Sequence, residues 1–403
     1  MSDIDKTGDN ISQGQRFVDV NNLPDDLRNL PDHMFEAAAD AGSGDETFKT
    51  KPIGFFKDSM LRLRRKKVSW ISFVIILILI FLAIFAPYFN EFAFAQQHVE
   101  EPALMNMPPR IPGLERLGIA DGRRWLNNRQ YGNLTNPDHI MFIHPDYIVD
   151  IREAGEVMGV RMVDVLLRYY QFRGAEDYYF WFGSDALGRD LFTRLFRGSR
   201  ISLMIALIAV FANLIVGTIL GAIMGYYGGT TDMLMMRFME VLEGIPNLVL
   251  IILFMLMVGT GMYAIIFALM ITGWIGVARL VRAQFYRFKV REYVLAARTL
   301  GVRDMKLIFR HILPNTVGPL ITRTMIAVPG AIFTEAFLAF IGLGIAAPET
   351  SIGVLLSDGQ RVLLQFPYQT LFPAVLISIL MISFNMFSNG LRDALDPTKR
   401  GED

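Results

Sequence analysis

Cysteine is absent from all 403 residues, which excludes disulfides, thiolate metal sites and cysteine nucleophiles. Net charge is absent as well. Thirty-nine Lys+Arg balance 39 Asp+Glu, and a neutral chain lacks the basic footprint of a nucleic-acid binder. No Gly-x-x-x-x-Gly-Lys-[Ser/Thr] loop occurs, so the chain has no phosphate cradle and is not expected to hydrolyse ATP. Its five histidines show no ligand spacing, and no nucleophile–base pair stands out, so neither a metal centre nor an enzyme is expected. The first fifty residues have no apolar h-region, so no cleavable signal peptide is expected. They are polar, acidic and poor in aromatics. Such a segment cannot bury enough surface to offset its ordering entropy, and residues 1–50 are expected to be a flexible cytoplasmic tail.

What the chain has is apolar residues, 52% of the total, gathered into blocks. Val68–Asn90, Ile201–Thr231, Gly244–Ala278 and Phe366–Gly390 each lack Asp, Glu, Lys and Arg. About 20 such residues cross a bilayer, and Gly244–Ala278 is long enough to belong to two spans. Spans are expected near Val68–Tyr88, Ile201–Tyr226, Met233–Val258, Met262–Phe285, Thr316–Phe340 and Gln369–Leu391. The cluster Arg62, Arg64, Arg65, Lys66 and Lys67 directly before the first block puts the N-terminus in the cytoplasm by the positive-inside rule. Residues 279–310 carry nine Lys/Arg against Glu292 and Asp304, which makes that loop cytoplasmic too. Six spans with both termini inside satisfy the alternation. Arg189, Arg194, Arg197 and Arg200 then fall on the outer side, against the rule.

The expected fold class is an all-α membrane protein of six transmembrane helices, N- and C-termini cytoplasmic, with an extracytoplasmic insertion between helices 1 and 2. Along the chain this gives the tail 1–50, a basic collar and first helix 51–90, the insertion 91–182, a core 183–391 and a cytoplasmic tail 392–403. Within the insertion, Ile148, Ile151, Val157, Val160, Val163, Leu166 and Leu167 recur at roughly helical spacing, so a helical subdomain is expected there.

The segment between the fourth and fifth spans is the most informative. Tyr293, Ala296, Ala297 and Leu300 lie at i, i+3, i+4 and i+7 and share one helical face, with Arg291, Leu295 and Arg298 around the other side. The alanines make a slim surface suited to a partner's groove. Gly301 suits a left-handed helix stop, and Pro314 suits the first turn of the next helix. A basic amphipathic helix fits a lipid-surface connector equally well.

Ala296, Ala297, Gly301, Leu313 and Pro314 fall on the Glu-Ala-Ala…Gly…Leu-Pro loop pattern of bacterial ABC importer permeases, and the segment resembles it. Leu295 stands where the pattern has Glu, and His311 where it has Ile. Phe182–Asp190, Gly198–Leu203, Glu335–Gly344 and Gly390–Pro397 resemble the C-type subunit of the dipeptide/oligopeptide/nickel branch. Ile352 departs, standing where relatives often carry Trp, and the 91–182 insertion is longer than the branch leads one to expect. The resemblance implies the type I importer permease fold. It implies that Arg291, Glu292, Tyr293, Ala296, Ala297, Leu300, Gly301, His311, Leu313 and Pro314 form a cytoplasmic coupling helix and its flank. It implies partners: a homologous B-type permease, two ATP-binding subunits carrying ATP and Mg, and an extracytoplasmic peptide-binding lipoprotein. This chain would bind no cofactor, sit in the bacterial inner (plasma) membrane, and pass di- or oligopeptides; nickel or a nickel chelate is the rival cargo. A stand-alone secondary transporter would leave the polar loop unexplained.

Two charges fall inside the fifth span. Arg323, about seven residues from its expected inner end, can snorkel to the interface. Glu335 lies nearer the outer end, facing either an aqueous cavity or a neighbouring helix. Both are candidates for the translocation pathway or its gate. Arg237, Glu240 and Glu243 are expected to form a solvated collar.

Overall fold

The computed structural model describes residues 55–89, 92, 101–135, 137 and 142–395; the expectations for 1–50 and for 396–403 lie outside them. Among the described residues five helices are long and apolar enough to cross a membrane. They are α2 (Lys67–Phe85, continuing to Tyr88), α3 (Leu191–Tyr227), α6 (Met262–Phe288), α8 (Asp304–Leu343) and α10 (Tyr368–Leu395). A sixth candidate is a pair, α4 (Gly229–Glu243) and α5 (Asn247–Val258), bent by 80° at its break. Between these lie the basic α1 (Phe55–Arg65), the short α7 (Glu292–Thr299) and α9 (Ile352–Arg361).

The third span is therefore not the straight helix expected over Met233–Val258. Gly244-Ile245-Pro246 interrupts it. Pro246 cannot donate to the preceding turn and restricts Ile245 to extended backbone, so the chain turns there. The uncharged run Gly244–Ala278 concealed this corner.

Helix α3 is 37 residues long, about 55 Å at 1.5 Å per residue. Asp190 caps it, its carboxylate accepting from the Thr193 N–H at 2.7 Å. On its inner half Gly217, Gly221 and Gly225 form a stripe against α6. A methyl at Gly217 would sit 2.6 Å from the Trp274 carbonyl oxygen, and one at Gly225 would sit 2.5 Å from Phe285 Cβ. Small residues every fourth position let two backbones meet, the device by which helices associate in lipid. The opposite half of α3 packs through Leu195, Leu203 and Ala206 against α2, α8, α9 and α10 in the largest apolar cluster.

The 91–182 segment is built differently from expectation. Its described part contains a three-stranded antiparallel sheet, β1 (Arg123–Gln130), β2 (Ile148–Val157) and β3 (Val160–Arg168), in the order β1-β3-β2. The helical reading of 148–167 was wrong. Val157 pairs with Val160 across Met158-Gly159, both at positive φ (52° and 80°), which is the two-residue hairpin turn that matches strand twist. Val163, Val165 and Leu167 are fully buried at every second position, the strand period. They seat in a core of the insertion's own with Leu104, Met107, Tyr170 and Phe180.

The insertion is fastened to the bundle near residue 184. Ser184 Oγ accepts from the Met107 N–H at 2.8 Å and donates to the Leu104 carbonyl at 2.6 Å. Gln369, at the start of α10, donates from Nε2 to Asn106 Oδ1 and to the Ser184 carbonyl, both at 3.0 Å. Burial in this core pushes the Tyr170 hydroxyl well above the ordinary phenol range, so it stays protonated and donates to the Pro108 carbonyl at 2.8 Å.

The outlying arginines acquire an explanation here. Asp185 accepts from Arg189 Nε at 2.7 Å and from Arg194, and also from the backbone N–H groups of Leu187 (2.9 Å) and Arg189 (3.0 Å). Arg197 pairs with Glu349 at 2.6 Å. Three of the four cationic charges are thus held in ion pairs within the fold rather than offered to a lipid headgroup layer. Among the described residues Arg200 has no such partner.

Candidate functional site

Helix α7 stands at the end of the bundle where α3 finishes, opposite the insertion. Arg291 precedes it in extended backbone, and Gly301 ends it at φ 74°. The Val302 N–H bonds to the Ala297 carbonyl at 3.2 Å and the Gly301 N–H to that of Arg298 at 3.0 Å. This pair of bonds is the Schellman closure, which favours glycine at its left-handed position.

The inward face of α7 is Val294 and Ala297, 0% and 8% exposed. They pack against Leu307, Ile308 and Ile312 of α8 and Phe285 of α6. Ala297 therefore does not belong to the outward surface on which the periodicity placed it. Arg291, Glu292, Tyr293, Leu295, Ala296, Arg298 and Leu300 face out, with Leu300 83% exposed. Val290, Met305 and Phe309 are exposed as well. Leu295, assigned to the far side, is exposed with the rest.

This end is cross-tied. Tyr226 of α3 donates its hydroxyl to Asp304 at 2.5 Å, and Arg298 lies over the Tyr226 ring at 5.5 Å. Lys289 Nζ donates to the Gly225 carbonyl at 2.9 Å, closing the end of α3; burial lowers the Lys289 ammonium below its usual value. Asp232 of α4 accepts two bonds from Arg282, at 2.5 and 2.6 Å, and one from the Tyr286 hydroxyl at 2.9 Å. Glu243 pairs with Arg279, while Arg237 and Glu240 pair with each other at the surface. The expected solvated collar is thus half a clamp between α4 and α6.

His311, Leu313 and Pro314 do not begin a new helix. Helix α8 already starts at Asp304, and 307–312 form a π turn. Pro314 has no N–H to give and would crowd the Arg310 carbonyl; the widened turn accommodates it. His311 and Leu313 are partly buried, and Pro314 is exposed.

Helix α8 starts earlier than expected, and Arg323 stands 19 residues beyond Asp304, about 28 Å along it. It lines a cavity of about 170 Å³ with Asn213, Asn247, Thr272, Thr324 and Thr334. Arg323 is exposed and has no hydrogen-bond or ion-pair partner among the described residues. Glu335 is elsewhere. It is fully buried, its Oε2 accepting from Ser202 Oγ at 2.8 Å, and it does not line the cavity. The same hydroxyl accepts from the Ile352 N–H at 3.2 Å, so Glu335 and Ser202 bind α8, α3 and the start of α9 together.

The comparisons with known proteins fit this frame. Residues 217–401 match the model described as binding-protein-dependent transport system inner membrane component. Residues 54–109 match the N-terminal transmembrane domain of oligopeptide transport permease C. An oligopeptide transport system permease protein of Bacillus subtilis is 36% identical over 375 residues, 93% of this chain and 100% of that one. The chain belongs to the C-type permease family of binding-protein-dependent transporters. A dipeptide transport system permease of the same organism is 33% identical over 94% of this permease and 96% of its own length. An oligopeptide permease of Haemophilus influenzae reaches 44%, but over 55% of this chain and 71% of its own. This permease is a multi-pass membrane protein of the inner-membrane component type.

Asn213, the Asp232–Arg282 clamp and the Tyr226–Asp304 bond escaped the sequence reading. A lone amide inside an uncharged span is itself a signal, and Asn213 was legible by that rule. The other two join residues 50 and 78 positions apart, and no local pattern announces them.

Proposed function

We propose that this chain is one of two permease subunits of an ATP-driven importer of di- and oligopeptides. It crosses the membrane six times, with the bent α4–α5 pair as one crossing and both termini in the cytoplasm. The insertion stands outside and α7 inside. Two ATP-binding subunits, which carry the nucleotide and Mg, dock on α7, and a homologous B-type permease faces the groove of Arg323. An extracytoplasmic peptide-binding lipoprotein delivers cargo at the insertion side.

The observation that carries this reading is the outward face of α7. A polar-framed apolar patch on a helix tied into α3, α6 and α8 is what a motor needs to move the bundle as a unit. A helix merely resting on lipid has no use for those ties. The peptide cargo is supported by the printed names of the Bacillus and Haemophilus relatives. Among the described residues no group of three metal-binding side chains stands together, so nothing observed favours the nickel reading.

The native chain has no cysteine, which makes the test direct. Met158→Cys, at the 99% exposed hairpin tip, and Ala296→Cys are made singly in cells. The first reacts with an impermeant maleimide in intact cells, and the second reacts only after permeabilisation and cross-links to an ATP-binding subunit. The reverse pattern of labelling defeats the orientation. Deleting the chain abolishes uptake of labelled trialanine; undiminished uptake defeats the function.

A further inference from the structure

We infer that the mid-membrane groove of this permease is a transient peptide-binding half-site, in which Arg323 reads the terminal carboxylate and Asn213 the amide backbone. The inference rests on the peptide-importer reading above and names the side chains that would handle the cargo.

Two independent features converge on one cavity. Arg323 faces it with no carboxylate partner among the described residues. Elsewhere in the same bundle Arg194, Arg197, Arg279 and Arg282 are each paired with Asp185, Glu349, Glu243 and Asp232. The fold thus supplies counter-ions for arginines that hold it together and supplies none here. The second feature is Asn213, 92% buried by its 8% exposure. Its Nδ2 donates to the Leu269 carbonyl at 3.3 Å, while its Oδ1 is buried with no donor. A buried acceptor left unmade is costly, and Asn213 is among the residues that line this cavity.

The chemistry of those groups selects a ligand class. A guanidinium offers a planar fork matched to a carboxylate, and an orphan amide oxygen wants an N–H. Thr272, which donates to Asn247 Oδ1 at 2.6 Å, adds a polar wall. Gly330 leaves its side of the groove open, with nothing within 4 Å of where a Cβ would stand. A short peptide carries the carboxylate and the N–H groups on one backbone whatever its side chains, so such a half-site accepts many sequences. A single monovalent charge, rather than a cage, lets cargo leave again.

The test uses the complete importer in proteoliposomes, with Arg323→Gln, Arg323→Lys and Asn213→Ala. Alanyl-alanine and its C-terminal amide are the probes, each normalised to its occupancy of the binding protein. The expected result for Arg323→Gln is normal co-purification of all subunits and binding-protein-stimulated ATP hydrolysis within two-fold of wild type. Uptake of the free acid falls at least ten-fold, and the wild-type preference for acid over amide disappears. Arg323→Lys, which keeps charge without the fork, recovers part of the rate, and Asn213→Ala lowers uptake of both peptides about equally. Unchanged acid uptake in Arg323→Gln overturns the inference. So does loss of subunit association, which would make Arg323 a contact with the second permease. A wild-type complex that accumulates neither peptide defeats the importer reading itself, a result separate from any variant's.

Discussion

Removing the Asp185 carboxylate is the most demanding test of how this permease is held together. One side chain, with 10% of its surface exposed, serves Arg189 and Arg194, which are 11% and 3% exposed, and it also receives two backbone N–H groups. Asp185→Ala strands at least the Arg194 guanidinium inside the protein. Breaking a buried pair from one side costs about 3–5 kcal/mol, because the orphaned charge keeps its desolvation penalty. For a membrane protein of this size that corresponds to a fall in Tm on the order of 10 °C, read by thermal unfolding of the purified protein in detergent. Arg189→Met should cost less, about 1–2 kcal/mol, since Asp185 keeps its Arg194 partner. The decisive variant is the double replacement Asp185→Ala with Arg194→Met. Taking out both charges removes the stranded cation, so the pair should be more stable than Asp185→Ala alone. A Tm for Asp185→Ala within 2 °C of wild type, or a double variant worse than the single one, refutes the reasoning.

Three further outcomes follow from other contacts. Gly221→Val drives a branched side chain into the Ala278 carbonyl; overpacking of about 1–3 kcal/mol should lower Tm and weaken α3–α6 packing, while Val216→Ala nearby should be mild by the same melt. Gly301→Val forces a β-branched residue into φ 74°, a strain of about 1–2 kcal/mol, seen as faster hydrogen exchange confined to 292–302. Glu335→Gln keeps an acceptor for Ser202 and should leave Tm within about 1 kcal/mol of wild type, whereas Glu335→Leu strands that hydroxyl and should lower Tm clearly.

Much of the bundle was legible because its signals are dense. A run such as Val68–Tyr88 has one physical reading, and Gly301 announced the end of α7 two residues from where it falls. Sidedness within a helix was harder. Tyr293, Ala296, Ala297 and Leu300 share an arc, but only the contacts with Leu307 and Ile308 reveal that Ala297 lies on its inner edge. In the insertion, Val157, Val160 and Val163 satisfy a three-residue spacing by coincidence, while Val163, Val165 and Leu167 carry the true period of two. Met158-Gly159 was the discriminating turn, and the helical count passed over it. Residues 303–310 looked like a loop because they are polar, but their charges decorate the first turns of a helix that has already begun at Asp304.

Helix α3 reaches from the Asp190 cap beside the insertion to the Tyr226 and Gly225 ties beneath α7 without a proline or a break. A girder of that kind has no elbow, so a tilt imposed at one tip arrives undiminished at the other. Over about 55 Å, a swing of about 5° carries the far tip by roughly 5 Å, comparable to one turn of a helix. The pair α4–α5 is bent by 80° at Gly244-Ile245-Pro246, a corner about which such a beam can travel.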